Sequence, residues 1–427
     1  MHDIAGFDAA DSSRDDGREE RSRWSRRQAL ATLASTGAVA LAGCSVGSAL
    51  SGVDPLWERE LSAAAGAGLP AGTDDYVVVG GQDRRLHGFT ADGERTIDIE
   101  TGGPVEGRPA VPATGGPVHV HSTDGDLYTV DRSGEQLWHV EGQARDGWIG
   151  RQGSLAVATD SVAGTVTGYD ARDGTRRFQR PGPDYPFPTL TDTACLLVET
   201  APDGGRMLVA VSPETGEVHW DLSHDEGYPV PVAAGDRVVT VDGSIVRMRR
   251  ARDGTMLWRQ AVDGEVASGF GGPVWLDDDV YVHVERQDGP DELVALDRDG
   301  GSIRWRRTVG YQLETVTGAA DGVFVASSVE DPDGGILVRL DAFARDGTRR
   351  WQTTTDISIG GTVEALGRVC DIVFAASDKE IAAYDPDSGS RRWHYNPDAS
   401  QIGVAAADDA LYLSYRNTGG LARLPTS

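Results

Sequence analysis

A period of about forty residues runs through this chain and constrains its fold more than any other feature. The phrase ARDGT occurs at 171–175, 251–255 and 344–348, and the related turns DRSG, PETG and PDSG stand at 131–134, 213–216 and 386–389. Three or four residues past each such turn comes an aromatic. The series is Trp138, Phe178, Trp220, Trp258, Trp305, Trp351 and Trp393, spaced by 40, 42, 38, 47, 46 and 42. Arrays of this period are built from helix pairs or from small sheets. The segments VYVHVER, VFVASSV, IVFAASD and LYLSYR decide for sheets: they are short and β-rich, several alternate in polarity, and no apolar stripe of helical period accompanies them.

The unit beginning at Asp278 reads as a strand, a turn with Gly and Pro, a second strand ELVALD, a tight turn at 298–301 and a third strand bearing Trp305. A fourth strand around Thr315 to Ala319 leads onward. Four antiparallel strands per ~40 residues make one blade of a β-propeller, so an all-β propeller of four-stranded blades is expected. Asp and Gly in the repeated turns supply the polar cap and the positive φ of a hairpin. The aromatic fills the gap between adjacent blades. The ligand spacing of an EF-hand calcium loop is absent from these Asp-rich turns.

The stretches LVALDRDGGSIRW, IAAYDPDSGSRRW and LYTVDRSGEQLW are similar to the pyrroloquinoline-quinone-like (PQQ-like) repeat, over nearly all of 55–425. That family holds quinoprotein dehydrogenases and also non-enzymatic lipoproteins of the BamB type, whose propeller is a docking scaffold. The resemblance implies the blade and leaves the activity open. The dehydrogenases of the family carry a quinone against calcium, a pair of adjacent cysteines, a catalytic aspartate and a longer chain, and none of these is legible here. Neither a cofactor nor a quinone is therefore expected.

Counting back from Trp393 gives eight complete repeats, the first with Ile97 in the aromatic's place. Two pieces are left over: an N-terminal strand PLWEREL at 55–61, with Trp57, and a C-terminal DALYLSYRNTGGLARLP lacking its last strand. Pairing them closes the ring and protects two open edges. Literal counting then gives nine blades. The resembling family generally has eight, and eight is the expectation, with nine as the alternative.

Charge and the N-terminus concern the address. The chain carries 40 Lys and Arg against 67 Asp and Glu, a net −27, and Lys379 is its single lysine. Hydrated carboxylates with almost no lysine point to a halophile, with a haloarchaeal source as the expectation, and such a surface offers nothing to nucleic acid. Residues 1–43 read as a twin-arginine signal: Arg26 and Arg27 precede an apolar run from Ala29 to Ala42, too short to span ~30 Å of hydrocarbon. Leu41, Ala42, Gly43 and Cys44 resemble a lipobox, which implies lipidation at Cys44, a tether over 44–54 and a propeller domain over 55–427. The expected location is the extracellular face of the cell membrane, held by lipid on Cys44.

The expected role is a non-enzymatic scaffold or binding module for protein assembly at the cell surface, with protein partners the sequence does not name. The alternative is an enzyme with its site in the central funnel, a divergent quinoprotein dehydrogenase or a carbohydrate-active propeller. Cys195 and Cys370 fall in blades far apart around the ring and read as buried free thiols. His119 and His121 share a strand face, but two ligands do not make a zinc site.

Overall fold

The computed structural model describes residues 52–427 apart from 62–65, 113–114, 143, 146, 183–187, 202–203, 225–230, 268–273, 277, 331–335, 356–362, 398 and 400. All regular structure among the described residues is β, in nine sheets of antiparallel strands. Blade 1 runs from Ala71 to Glu100, blade 2 from Val118 to Val140, blade 3 from Ile149 to Pro181, blade 4 from Thr189 to His224 and blade 5 from Val232 to Ala261. Blades 6, 7 and 8 run from Glu265 to Thr308, Gln312 to Thr354 and Ala365 to Tyr395. Blade 2 has three strands, with an isolated bridge from Ala110 to His119 where its first would lie. The segment around Thr315 to Ala319 belongs to the first strand of blade 7, Gln312–Ala319.

Blade 9 takes its strands from both ends of the chain. Ile402–Ala406, Leu411–Tyr415 and Gly420–Leu424 supply three, and Trp57–Glu60 is the fourth, with Trp57 opposite Arg423 and Glu60 opposite Gly420. The expected partnership of the two leftover pieces is thus present, while the blade count is nine and not eight. Eight came from the habit of the resembling family. The residues themselves encode eight repeats plus the composite sheet, and no repeat is too irregular to form a blade.

The first strands of successive blades, with Val274–Leu276 taking that place in blade 6, touch one another from blade 2 through blade 9, and that of blade 9 touches the first strand of blade 1. This places them innermost. Between sheets lie nine apolar clusters, each shared by two neighbouring blades. Leu155 and Val157 of blade 3 meet Leu197 and Val209 of blade 4, and Tyr412 and Leu421 of blade 9 meet Val77 and Phe89 of blade 1. Most of these side chains are wholly buried, which at about 25 cal/mol per Å² of apolar surface makes the faces between blades the main source of stability.

One irregularity repeats in blades 1 to 8. The register between the third and fourth strands shifts by one residue beside the turn, as between Gly168 and Tyr169 in blade 3, so the fourth strand carries one extra residue just before its aromatic. A bulge re-aims the side chain it inserts. In blades 3, 6 and 8 that residue is an arginine turned back onto the aspartate that opens the turn: Arg177 to Asp170 at 2.7 Å, Arg304 to Asp297 at 2.5 Å and Arg392 to Asp385 at 2.7 Å. The paired strands of blade 9 show no such shift.

Candidate functional site

The repeated aromatic and the repeated glycine meet across the boundary between blades. Seven turn glycines have positive φ, and a Cβ built on any of them would strike the aromatic of the preceding blade: Gly174 against Trp138, Gly216 against Phe178, Gly254 against Trp220, Gly301 against Trp258, Gly347 against Trp305, Gly389 against Trp351 and Gly93 against Trp57, all below 3.0 Å, whereas Gly134, which faces the blade with Ile97 in the aromatic's place, meets only backbone at 3.3 Å or more. The indole N–H then reaches a carbonyl of the same turn. Trp57 donates to Ala91, Trp138 to Ala171, Trp220 to Ala251, Trp258 to Arg298, Trp305 to Arg345 and Trp351 to Pro386, at 2.7 to 3.2 Å. The carbonyl acceptor of each indole has no signature in the order of residues. Trp393 is as buried as the others, but its Nε1 has no partner.

The export and lipidation residues Arg26, Arg27 and Cys44 lie outside the described residues. Cys195 is free and buried, and burial pushes its thiol pKa up. Cys370 differs from expectation: it is disulfide-bonded and not a free thiol. The separation of blades 4 and 8 ruled out only a bridge between Cys195 and Cys370, and those two are indeed not joined.

Among the described residues no three His, Cys, Asp or Glu side chains gather where a metal could sit. His119 is wholly buried against Trp138, ring centroids 5.5 Å apart, with Nδ1 at 2.6 Å from Thr129 Oγ1, and desolvation lowers its pKa to about 3. Other histidines pair with acids of their own blade: His139 with Asp126 at 2.8 Å, His283 with Asp291 at 2.7 Å and His394 with Glu380 at 2.7 Å.

Two places hold unusual charge. Arg108, at the entry to blade 2, donates to the Pro70 carbonyl beside blade 1 at 2.6 Å and to the Val404 carbonyl in blade 9 at 2.9 Å, and desolvation lowers its pKa to about 10. It fastens three blades without a carboxylate. The second is a cavity of about 270 Å³ between blades 6 and 7, lined by Pro290, Thr308, Val309, Gly310, Tyr311, Val329, Arg339 and Arg349. No residue of an innermost strand lines it, so it lies off the central axis. Beside it Asp341 is completely buried, with Arg339 Nε at 2.7 Å from one oxygen and Arg349 Nε at 3.0 Å from the other. Burial raises the pKa of Asp341 despite both arginines.

The family model described as "Outer membrane protein assembly factor BamB" matches residues 47–187, 163–283 and 242–410. No curated protein matches this chain. Among solved structures, BamB from Moraxella catarrhalis is 16% identical with a TM-score of 0.54, covering 74% of this chain and 95% of its own. The computationally designed Ika8 protein is 14% identical at a TM-score of 0.53, with 74% and 95% covered. Quinohemoprotein alcohol dehydrogenase from Comamonas testosteroni is 13% identical at 0.52, covering 97% of this chain and 82% of its own. At these identities the structural likenesses speak for the fold.

Proposed function

For a chain that belongs to the outer membrane protein assembly factor BamB family, we propose a non-enzymatic scaffold, a nine-bladed ring closed by its own N-terminal strand that docks protein partners at the cell surface. One observation carries this reading. Many of the side chains that could serve as acid, base or electrophile are engaged in the architecture, as arginine on turn aspartate in three blades and histidine on a carboxylate of the same blade. A scaffold needs rigid blades and an accessible surface, and these pairs supply the rigidity. The family, described as an assembly factor, supports protein partners over small-molecule turnover.

The same proposal includes the address: export by the twin-arginine pair, a lipid on Cys44, and a surface adapted to high salt. The acidity supports the last point, because with −27 on the chain a Debye length of ~10 Å at 0.1 M leaves self-repulsion that ~3 Å at 1 M removes. Melting temperature should therefore rise with salt.

Crosslinking on intact cells, with photoreactive residues placed on the blade turns, tests the scaffold. The expected result is a discrete protein adduct, with no quinone uptake by the purified protein in the presence of calcium. Stoichiometric quinone binding would favour a dehydrogenase and remove the scaffold reading.

A further inference from the structure

We propose that the cavity between blades 6 and 7 is a binding site for the terminal carboxylate of an extended peptide, with Arg339 and Arg349 as its anion clamp. The proposal rests on the reading of this chain as a protein-binding module and names the chemistry of one docking point.

The argument begins with charge. Two guanidinium groups share one buried carboxylate, so the cluster keeps one net positive charge inside a strongly acidic chain. Asp341 engages only the Nε edge of each arginine. Among the described residues Arg339 shows no further hydrogen bond, so its Nη1 and Nη2 donors have no partner there, and Arg349, which lies over the Phe343 ring, sends only Nη2 to the Thr308 carbonyl at 3.4 Å. Guanidinium forks with free donors are suited to a second oxyanion, which they bind by charge-assisted hydrogen bonds. Asp341, having no exposure of its own, holds both side chains in place before any ligand arrives.

Size and lining then select among anions. At about 270 Å³ the cavity falls just below the ~300–1,000 Å³ of sites that enclose drug-sized ligands, so it takes a fragment about the size of one residue. Pro290, Val309 and Val329 give that fragment apolar walls. Tyr311, 56% exposed, and Ile336, 62% exposed at the start of the strand that carries Arg339, leave apolar surface beside the opening for the residues that precede it. A carboxylate on an apolar side chain, with more chain running outward over Tyr311, matches these features together.

The test is fluorescence anisotropy with an N-terminally labelled short peptide ending in Gly-Leu, as free acid and as C-terminal amide, titrated with the full mature protein in the salt that keeps it folded. The free acid should bind, and the amide should bind at least tenfold more weakly. Arg349→Gln and Tyr311→Ala should each weaken the free acid several-fold while leaving the amide unchanged. Arg339→Gln leaves Asp341 with one partner and risks the fold, so it is read together with Arg339→Gln/Asp341→Asn, which removes the buried charge as well. The proposal is overturned if acid and amide bind alike, if neither binds, or if folded Arg349→Gln binds the acid as the parent does. Cellular crosslinks that persist in Arg349→Gln would leave the scaffold reading standing and remove this site from it.

Discussion

Trp351 gives its indole N–H to the carbonyl of Pro386 in the next blade at 2.7 Å, and Trp393, one blade further on, gives its own to nothing. The difference follows from connectivity. In blades 1, 3, 5, 6, 7 and 8 the last two strands are joined by the turn whose carbonyl accepts the indole of the preceding blade. In blade 9 those strands are Gly420–Leu424 and Trp57–Glu60, so no turn joins them and the acceptor is missing. Trp351→Phe should therefore destabilise the protein by about 1 kcal/mol more than Trp393→Phe, since only the first loses a buried hydrogen bond. Equal shifts in denaturant midpoint for the two variants would refute this.

The turn glycines answer to two demands that substitution separates. Gly142 has φ +64 with nothing near its missing Cβ, whereas Gly389 has φ +71 and would place a Cβ 2.5 Å from Trp351. Gly142→Ala should lose about 1 kcal/mol from the left-handed backbone. Gly389→Ala adds the overpacking cost and should lose about 2–4 kcal/mol in total. Similar melting curves would mean that the indole contact does not constrain the turn.

Removing residues 55–61 takes the outer strand from blade 9, uncovering Arg423 and Gly420 and the apolar faces that Trp57 seals against Phe89 and Tyr412. Aggregation or a large fall in melting temperature is expected, because an unpaired edge beside exposed apolar surface recruits other chains. A truncated protein that stays monomeric and melts like the parent would show that the strand is dispensable.

Acid should loosen the fold through His119. Its folded pKa of about 3 lies below the ~6.5 of an unfolded histidine, so the unfolded chain takes up a proton that the native state refuses. The associated stability is complete above pH ~6.5 and is lost as pH falls toward 3, by about 2 kcal/mol at pH 5. His87, whose pKa desolvation also lowers, acts in the same direction. Comparing pH 7 with pH 5 should show a smaller loss in His119→Asn than in the parent. Identical pH slopes would exclude His119.

Cys44→Ser should release the protein from membranes or leave it as uncut precursor. The parent recovered wholly soluble after export would sink the anchor. Mass spectrometry adds a second check. A thioether resists reductant and a disulfide does not.

Sequence periodicity made the blades legible because the turn and the aromatic recur at fixed offsets, and the composite blade followed from two fragments that each lacked what the other held. The blade count failed where the habit of a resembling family was set above the count of residues. The bulge was invisible, since the extra residue before Phe178 or Trp305 differs from its neighbours only in the register of its partner strand. The Arg339–Asp341–Arg349 cluster was equally hidden. Arginine and aspartate are common throughout the chain, and nothing in the order of residues says that one carboxylate is buried between two guanidiniums while another faces water. Cys370 was misjudged because only one possible partner was weighed.

Glu60 lies opposite Gly420, so the fourth strand of blade 9 is among the first parts of the domain to be synthesised and its partner among the last. At ~5–20 residues per second the early strand waits roughly 20–70 s for the strand that receives it. Blades 1 to 8 can assemble in the order they are made. Blade 9 cannot, and its completion therefore records that the whole domain has been translated: a chain truncated anywhere before Gly420 keeps Trp57 and the N-terminal strand unpaired, exposing incomplete synthesis at the end of the molecule nearest the proposed export signal.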